Sequence, residues 1–504
     1  MNKYALISVS DKSKIVEFAS SVISNGYKIL ATGNTAKLLM SNGVSCEEIS
    51  NYTSSPEVFD GRVKTLHPKI FSGILFRREV EEDVNQMNEL DYGSIDIVCV
   101  NLYPFKKTAE KVGVTDSELI ENIDIGGPSL IRAAAKNHNS VSVLTSPEQY
   151  DDFIQELNTG KISSETKIRL AVEAFSHTSE YDTFIVNTLE NRFNLPKKNL
   201  RINLNESKVL RYGENPHQTA SVYGDFFSYF EILHGKELSY NNILDLVAAV
   251  QIIEDFESTA CAIIKHNNPC GVALSDTVLS AYEKALSSDT VSAFGGIVTF
   301  NKEVDEETAI KLNSIFLEVV VAPSFSEAAM SILTRKKDRR ILKQLKKIKG
   351  EESTFRSIPG GVLAQSANNK VFESELKTVT VKEPENSELN DLKFAWTITK
   401  HVKSNAIVLV KNLQTIGIGA GQVSRIDSVK IAIMKAKEFG FNLENSVVAS
   451  DAFFPFADGI QAFAENKISA VIQPGGSVRD NEVIDAANEN GISMVFTGIR
   501  HFKH

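Results

Sequence analysis

Short apolar runs alternate with amphipathic stretches from the start of the chain. Residues 4–9 read as a strand, residues 14–24 set Ile15, Phe18, Ala19, Val22 and Ile23 at the spacing of one helical face, and residues 28–31 form a second apolar run. The rhythm returns at 96–100 and 141–144. Strands alternating with amphipathic helices pack as a parallel sheet with helices on both faces, so the first domain is predicted to be α/β. The polar stretch 190–199 breaks the periodicity and ends that domain at residue 199.

The remainder carries a faint self-similarity. An apolar run ends in Lys265-His266, and another ends in Lys411-Asn412. Ser288-Asp289 precedes Phe294, and Ser450-Asp451 precedes Phe456. Two related α/β lobes account for both pairs, with the polar segment 370–390 as their seam. Residues 335–349 hold nine Lys or Arg and one Asp, but Ile341, Leu342, Leu345 and Ile348 supply packing positions, so this run is read as the solvated face of an element.

At 504 residues the chain has room for two to four domains with full cores. Its 54 basic against 64 acidic residues give a net charge of -10, which disfavours a dedicated nucleic-acid binder and leaves anions to local clusters. The cysteines, Cys46, Cys99, Cys261 and Cys270, form no C-x-x-C pair and indicate a reducing compartment. No apolar run approaches the roughly 20 residues of a membrane span, and no signal peptide opens the chain, so a cytoplasmic protein is expected.

Several loops bear chemistry. Ser8 to Lys12 follows the first strand, and Thr32-Gly33-Asn34-Thr35 follows the second, each offering hydroxyls and helical N–H groups to a phosphate, or else forming an N-cap and a turn. Residues 61–68 pack Arg62, Lys64, Thr65 and His67 into one segment, fit for an anionic ligand or a surface loop. Tyr103 follows the 96–100 strand at the edge where open sheets bind ligands, as a site residue or an aromatic plug. Glu121 to Pro128 joins Asp124 to a glycine pair, and Lys136 lies on the helix beyond; a carboxylate and a lysine in one pocket suit proton transfer. Lys265-His266 ends an apolar strand, where the neighbouring cation favours neutral imidazole, although a lone histidine is often structural. Pro269-Cys270 resembles half of a zinc-deaminase motif, but Ala273 replaces the second cysteine and no H-x-E occurs. Residues 210–218 concentrate polar, aromatic and turn residues beyond the domain boundary. The 417–421 glycines lack the G-x-G-x-x-G order and are read as permitting close strand or ligand contact.

Ten of these segments, SVSDKSK, GRVKTLHPK, NLYPF, ENIDIGG, AAAKNH, LRYGENPHQ, KHNNPCG, GAGQVSR, SDAFFPFADGI and QPGGSVRD, stand in the order of one family. The chain resembles the AICAR transformylase/IMP cyclohydrolase enzymes from its first strand to residues 498–504. The resemblance implies an α/β chain: an N-terminal methylglyoxal-synthase-like parallel-sheet domain at 1–199, then two cytidine-deaminase-like α/β lobes at 200–380 and 381–504. It matches the cyclohydrolase nucleotide positions to Ser10, Asp11, Lys12, Thr32, Gly33, Thr35, Arg62, Val63, Thr65, Asn101, Ile125 and Gly126. Proton-transfer positions match Lys136, Lys64, Tyr103 and Asp124. The family often has glycine at the position of Asn34.

In the transformylase region the resemblance matches His266 to the catalytic histidine and Lys265 to its neighbour. It matches Arg211, Tyr212, Gly295, Glu318, Asn405, Phe453 and Arg500 to AICAR contacts, and Arg425, Asp458, Ser477 and Val478 to folate contacts. The acid matched by Glu318 is not always glutamate. The implied chemistry passes the formyl group of 10-formyltetrahydrofolate to the 5-amino group of AICAR, giving FAICAR, and closes FAICAR to IMP with loss of water. His266 would relay the proton of the attacking amine, with Lys265 assisting the leaving N10. A homodimer is implied, with no catalytic metal, nucleic acid or membrane. The competing readings are a purine-nucleotide sensor without turnover and a metal-dependent deaminase, against which stand the reactive clusters and the missing zinc motif respectively.

Overall fold

β1 (Lys3–Ser8), β2 (Lys28–Ala31), β3 (Glu47–Glu48), β4 (Ser94–Val100) and β5 (Ser142–Leu144) pair in parallel in the order β3-β2-β1-β4-β5. Helices cover both faces of such a sheet, so its central strands are apolar throughout: Ala5, Leu6, Ile7 and Val98 are all fully buried. The helix Ile15–Ser24 buries Ile15, Phe18, Ala19 and Val22 as its spacing predicts, whereas Ile23 falls off that face and is exposed. Strand order reverses at β1, between β2 and β4, which opens a crevice at the carboxyl edge. This computed structural model describes residues 1–59, 61–348, 353–373 and 375–504. Met1–Asn203 forms one unit and Leu204–His504 the other.

The second unit opens with a hairpin of β6 (Glu206–Leu210) and β7 (Ala220–Tyr223). There follow β8 (Phe230–His234), β9 (Ala260–Lys265), β10 (Asn268–Leu274), β11 (Ile297–Phe300), β12 (Val319–Ala322) and β13 (Arg340–Gln344). A separate hairpin of β14 (Ser353–Ile358) and β15 (Gly361–Ser366) intervenes. The chain closes with β16 (Lys377–Thr378), β17 (Ile407–Lys411), β18 (Gln414–Gly419), β19 (Val447–Ser450), β20 (Ala470–Gln473) and β21 (Ser493–Phe496).

Twelve strands join in one mixed sheet, ordered β16-β21-β20-β19-β17-β18-β10-β9-β11-β12-β13-β8. Read outward from the β18–β10 junction, the two halves have the same topology. The helices Tyr240–Ile253 and Asn386–Thr399, 14 residues each, open the two halves, and a spacing of 146 relates Asp245 to Asp391, Lys265 to Lys411 and Gly271 to Gly417. The repeat read from Lys265 and Lys411 is therefore a repeat of structure. The Ser-Asp pairs are not part of it: Ser288 ends the helix Val278–Ser288, whereas Ser450 ends β19.

The basic run spans β13, where Ile341 and Leu342 are buried. Two of its residues depart from a simple solvated face. Arg339 is buried and donates to Asn313 Oδ1 at 2.7 Å, and Leu345 is exposed. Lys349 lies outside the described residues. Among the described residues no helix is long and apolar enough to cross a membrane.

Glycine lets each lobe's helix press against the seam. A Cβ at Gly271 would lie 2.0 Å from Ala285 O, one at Gly417 2.2 Å from Ala432 O, and one at Gly419 2.0 Å from Ser428 O. Gly417 and Gly419 thus serve helix-to-strand contact, and Gly421 takes a left-handed φ of +71°. Where the two opening helices end, Asp255 meets His401, its equivalent at the same spacing of 146. His401 Nε2 donates to Asp255 Oδ2 at 2.6 Å, and Lys400 Nζ donates to the same oxygen at 3.1 Å. Lys400 already balances the carboxylate, and burial pushes His401 down to about 4.

Gly417→Ala is expected to destabilise the chain by about 3 kcal/mol through overpacking against backbone that cannot withdraw, read as a lower urea midpoint. A histidine whose pKa drops from 6.5 when unfolded to about 4 when folded adds stability above pH 6.5 that is lost as pH falls toward 4. The stability advantage of wild type over His401→Gln should therefore shrink by on the order of 2 kcal/mol between pH 7 and 4.5. A constant difference in Tm would show that folding leaves the His401 pKa where it stands in the unfolded chain.

Candidate active sites

In the first unit the crevice is built from the loops that follow β1, β2 and β4. Asn101, just past β4, accepts at Oδ1 from the N–H groups of Ser10 at 2.5 Å and Asp11 at 3.0 Å. Ser10 Oγ donates to Leu102 O at 2.8 Å. Lys12 Nζ bridges the first two loops, donating to Val9 O and, at 2.7 Å, to Thr35 Oγ1. Burial lowers the pKa of that ammonium. Ser8 and Thr32 hydroxyls lie 2.9 Å apart, so Thr32 heads the helix Gly33–Ser41 without capping it, leaving N–H groups at its start toward the crevice.

Lys64 enters this crevice from the 61–68 segment. A Cβ on Gly33 would stand 4.0 Å from Lys64 Nζ, and Lys64 pairs with Glu57 at 3.3 Å. Arg62 pairs with Glu121 through its guanidinium. Val63 pairs with Val58 in an isolated bridge and is exposed. Buried Thr65 approaches the helix Gly126–Lys136, with its Oγ1 3.0 Å from where a Gly126 Cβ would lie. Asp124 Oδ1 accepts from Gly127 N–H at 2.8 Å, and the Asp124 N–H donates to Tyr181 Oη at 2.8 Å. Burial raises the Asp124 pKa, while the N–H groups of Gly127, Tyr103 and Gly126 act in the opposite sense. The Tyr103 and Ile125 side chains are exposed beside it.

Lys136 is placed elsewhere. Ten residues at about 1.5 Å each put it about 15 Å along the helix from Gly126. The following residue, Asn137, donates to Ile74 O at 2.7 Å, beside Arg78, which bonds Ile95 O and Asp96 at the amino end of β4. Lys136 thus stands, exposed, on the side of the sheet away from the crevice.

In the second unit one helix gathers the expected residues of the first lobe. Along Tyr240–Ile253, Asn241 Nδ2 donates to Glu214 O at 3.2 Å and holds the loop of Arg211 and Tyr212. Asn242 Nδ2 donates to Glu318 Oε2 at 2.8 Å. Asp245 accepts from the His266 N–H at 3.2 Å and the Asn267 N–H at 2.6 Å. His266 and Asn267 form a two-residue hairpin turn with φ of +54° and +60°, in the left-handed region that costs a side-chain-bearing residue about 1 kcal/mol. Lys265 Nζ donates to Phe294 O at 2.8 Å, next to Gly295 at φ +74°.

The second lobe brings its residues to the carboxyl ends of parallel β19, β20 and β21. Arg425 is buried, with its guanidinium donating to Asp451 at 2.5 Å, Ser450 at 2.8 Å and Asn405 Oδ1 at 2.7 Å. Its guanidinium thereby ties Asn405 to the end of β19. Phe453 and Val478 are exposed, Asp458 begins the helix Asp458–Glu465, and Ser477 Oγ accepts from the Arg479 N–H at 3.1 Å. Arg500 lies over the Phe502 ring at 4.6 Å. Asn268 Oδ1, one residue past the His266 turn, accepts from the Lys403 N–H at 3.1 Å and ties that turn to the approach of Asn405.

Sequence reasoning missed Glu57, Tyr181, Asn242, Asp245 and Asp451 as partners of site residues. For Asp245 a signal existed, the recurrence of aspartate at Asp391 in the repeat. Cys270 is partly buried, and its desolvation pushes the thiol up to about 12. Among the described residues no three His, Cys, Asp or Glu side chains converge as metal ligands.

The model of the AICARFT/IMPCHase bienzyme family matches residues 134–435, and that of the MGS-like domain matches residues 14–129. The bifunctional purine biosynthesis protein PurH of Persephonella marina is 50% identical over 517 residues, covering 100% of both chains. The PurH of Chlorobaculum parvum is 50% identical over 517 residues, covering 100% of this chain and 99% of its own. The PurH of Aquifex aeolicus is 49% identical over 510 residues, covering 99% of this chain and 100% of its own. With more than half of its length matched and full-length relatives at this identity, the chain belongs to the AICARFT/IMPCHase bienzyme family.

Proposed function

We propose that the second unit transfers the formyl group and the first closes the ring, within a chain that is a bifunctional AICAR formyltransferase and IMP cyclohydrolase of purine biosynthesis. The observation that carries the assignment of formyl transfer is the tight turn presenting His266 beside Lys265, with Glu318 and Gly295 gathered around them. The 5-amino nitrogen of AICAR attacks the formyl carbon of 10-formyltetrahydrofolate. His266 takes the amine proton, the carbon–N10 bond breaks, and N10 gains a proton from the Lys265 side. Arg211 and Tyr212 receive the nucleotide, with Phe453 and Arg500 flanking the base. Folate lies along Asp458, Ser477 and Val478, and Arg425 acts by holding Asn405.

FAICAR then closes in the first unit. The carboxamide nitrogen attacks the formyl carbon, and its oxygen leaves as water. Lys64 stabilises the developing oxyanion, Asp124 with its raised pKa holds and returns a proton, and Tyr103 covers the ring. Ser10, Lys12, Thr35 and the start of the Gly33–Ser41 helix bind the phosphate.

A homodimer belongs to the same reading. Every residue of β14 and β15 is exposed, Phe355, Ile358, Val362 and Leu363 among them, and a lone two-stranded hairpin is marginal in water. A second copy covering this hairpin supplies the missing packing. Leu363→Lys is expected to shift the mass in sedimentation velocity from two chains toward one, whereas a single-chain wild type would remove the dimer.

Tetrahydrofolate release and IMP formation should separate by mutation. His266→Ala is expected to lower formyl transfer roughly 10²-fold or more while still closing added FAICAR. Lys64→Ala should transfer the formyl group normally and accumulate FAICAR, its ring closure down roughly 10²-fold. Full transfer by a folded His266→Ala would take the histidine out of the chemistry.

A further inference from the structure

We propose that Asp245 is a positioning residue for formyl transfer, setting the His266 imidazole through the backbone of the turn that carries it. The inference rests on the reading of His266 as the proton acceptor. Both carboxylate oxygens are used: Oδ2 accepts from the His266 N–H at 3.2 Å and Oδ1 from the Asn267 N–H at 2.6 Å. These two residues hold left-handed backbone without glycine, at φ +54° and +60°, a conformation a free chain would abandon for the ordinary regions. The acceptor that keeps them there therefore decides where the imidazole stands. Asp245 touches the backbone of the turn, and its helix also holds Glu318 through Asn242 and the Arg211 loop through Asn241, so the turn is referenced to the rest of the pocket.

The repeat supplies an internal control. In the second lobe Asp391 accepts from the Asn412 N–H at 2.8 Å and the Leu413 N–H at 2.7 Å, and these residues have φ of +54° and +56°. The clamp is the same, but that turn bears Asn412 where the first bears His266. Asn241 and Asn242 are replaced at the equivalent positions by Ser387 and Glu388. Loosening either turn takes away similar backbone bonds, and only one of the two carries an imidazole.

Asp245→Asn and Asp391→Asn are to be compared in the full chain, with His266→Ala alongside. Asp245→Asn is expected to lower kcat for formyl transfer about tenfold or more with the KM for AICAR changed less than about threefold, as for a misplaced group rather than a lost binding contact. Asp391→Asn should lower Tm comparably and leave kcat within about twofold. Unchanged kcat in Asp245→Asn, or an equal loss in Asp391→Asn, would overturn the proposal. Full transfer by His266→Ala would instead overturn the reading on which it rests. If Asp245→Asn does not fold, Asp245→Glu and Asp391→Glu, which keep the charge and move it by one methylene, are read by the same criteria.

Discussion

The second unit depends on a narrow seam. β10 and β18 share one ladder pairing, Ala273 with Gln414, and the junction is completed by a side chain: Thr415 Oγ1 accepts from the Val272 N–H at 2.9 Å and donates to Val272 O at 3.2 Å. A buried backbone pair left open there would cost more than the bond contributes when made, so the threonine hydroxyl holds the halves of the sheet in one register. The glycines of both strands let a helix from each lobe sit against the same seam. The His266 turn hangs from one side of this junction and Asn405 approaches from the other, so the distance between the two is a property of the seam.

A chain of net charge -10 must bind anionic nucleotides by local means. Three of the cations singled out in the sequence are each held by a carboxylate: Lys64 by Glu57, Arg62 by Glu121 and Arg425 by Asp451. These pairs differ in exposure, and that changes their meaning. The Arg62 pair is open to water and contributes little to stability. The Arg425 pair is buried and bonded on several sides, so breaking it would strand a charge, and its work is structural. Exposure therefore separates ion pairs that face solvent from ion pairs that brace the interior of a lobe.

Much of this was legible along the chain. Alternating apolar runs disclosed the parallel sheet, and loops at strand ends marked the crevice, because strand periodicity and the carboxyl-edge rule are local in sequence. What failed was long-range or geometrical. Lys136 follows Gly126 closely in sequence, yet a straight helix carries it to the opposite edge of the sheet. Arg425 enters from the sequence only as a position matched to folate, and nothing local discloses that Asp451, beyond β19, lies against it. Ser288-Asp289 and Ser450-Asp451 look alike as strings and sit on different elements. Asp245 carries no motif of its own, since its partners are backbone N–H groups that any residue would supply.

The duplicated lobes show how one scaffold divides labour. Both keep a lysine at the strand end, a two-residue left-handed turn and an aspartate beneath it, the parts that make the turn possible at all. They differ in what is attached: His266 and the two asparagines in one lobe, Asn412 with Ser387 and Glu388 in the other. On the line between them Asp255 faces its own counterpart, His401. Two identical aspartates meeting there would repel in a buried site, whereas an aspartate and a neutral imidazole, backed by Lys400, satisfy one another. A fused repeat can place unlike residues at equivalent positions, and here that freedom makes both the junction and the division of chemistry possible.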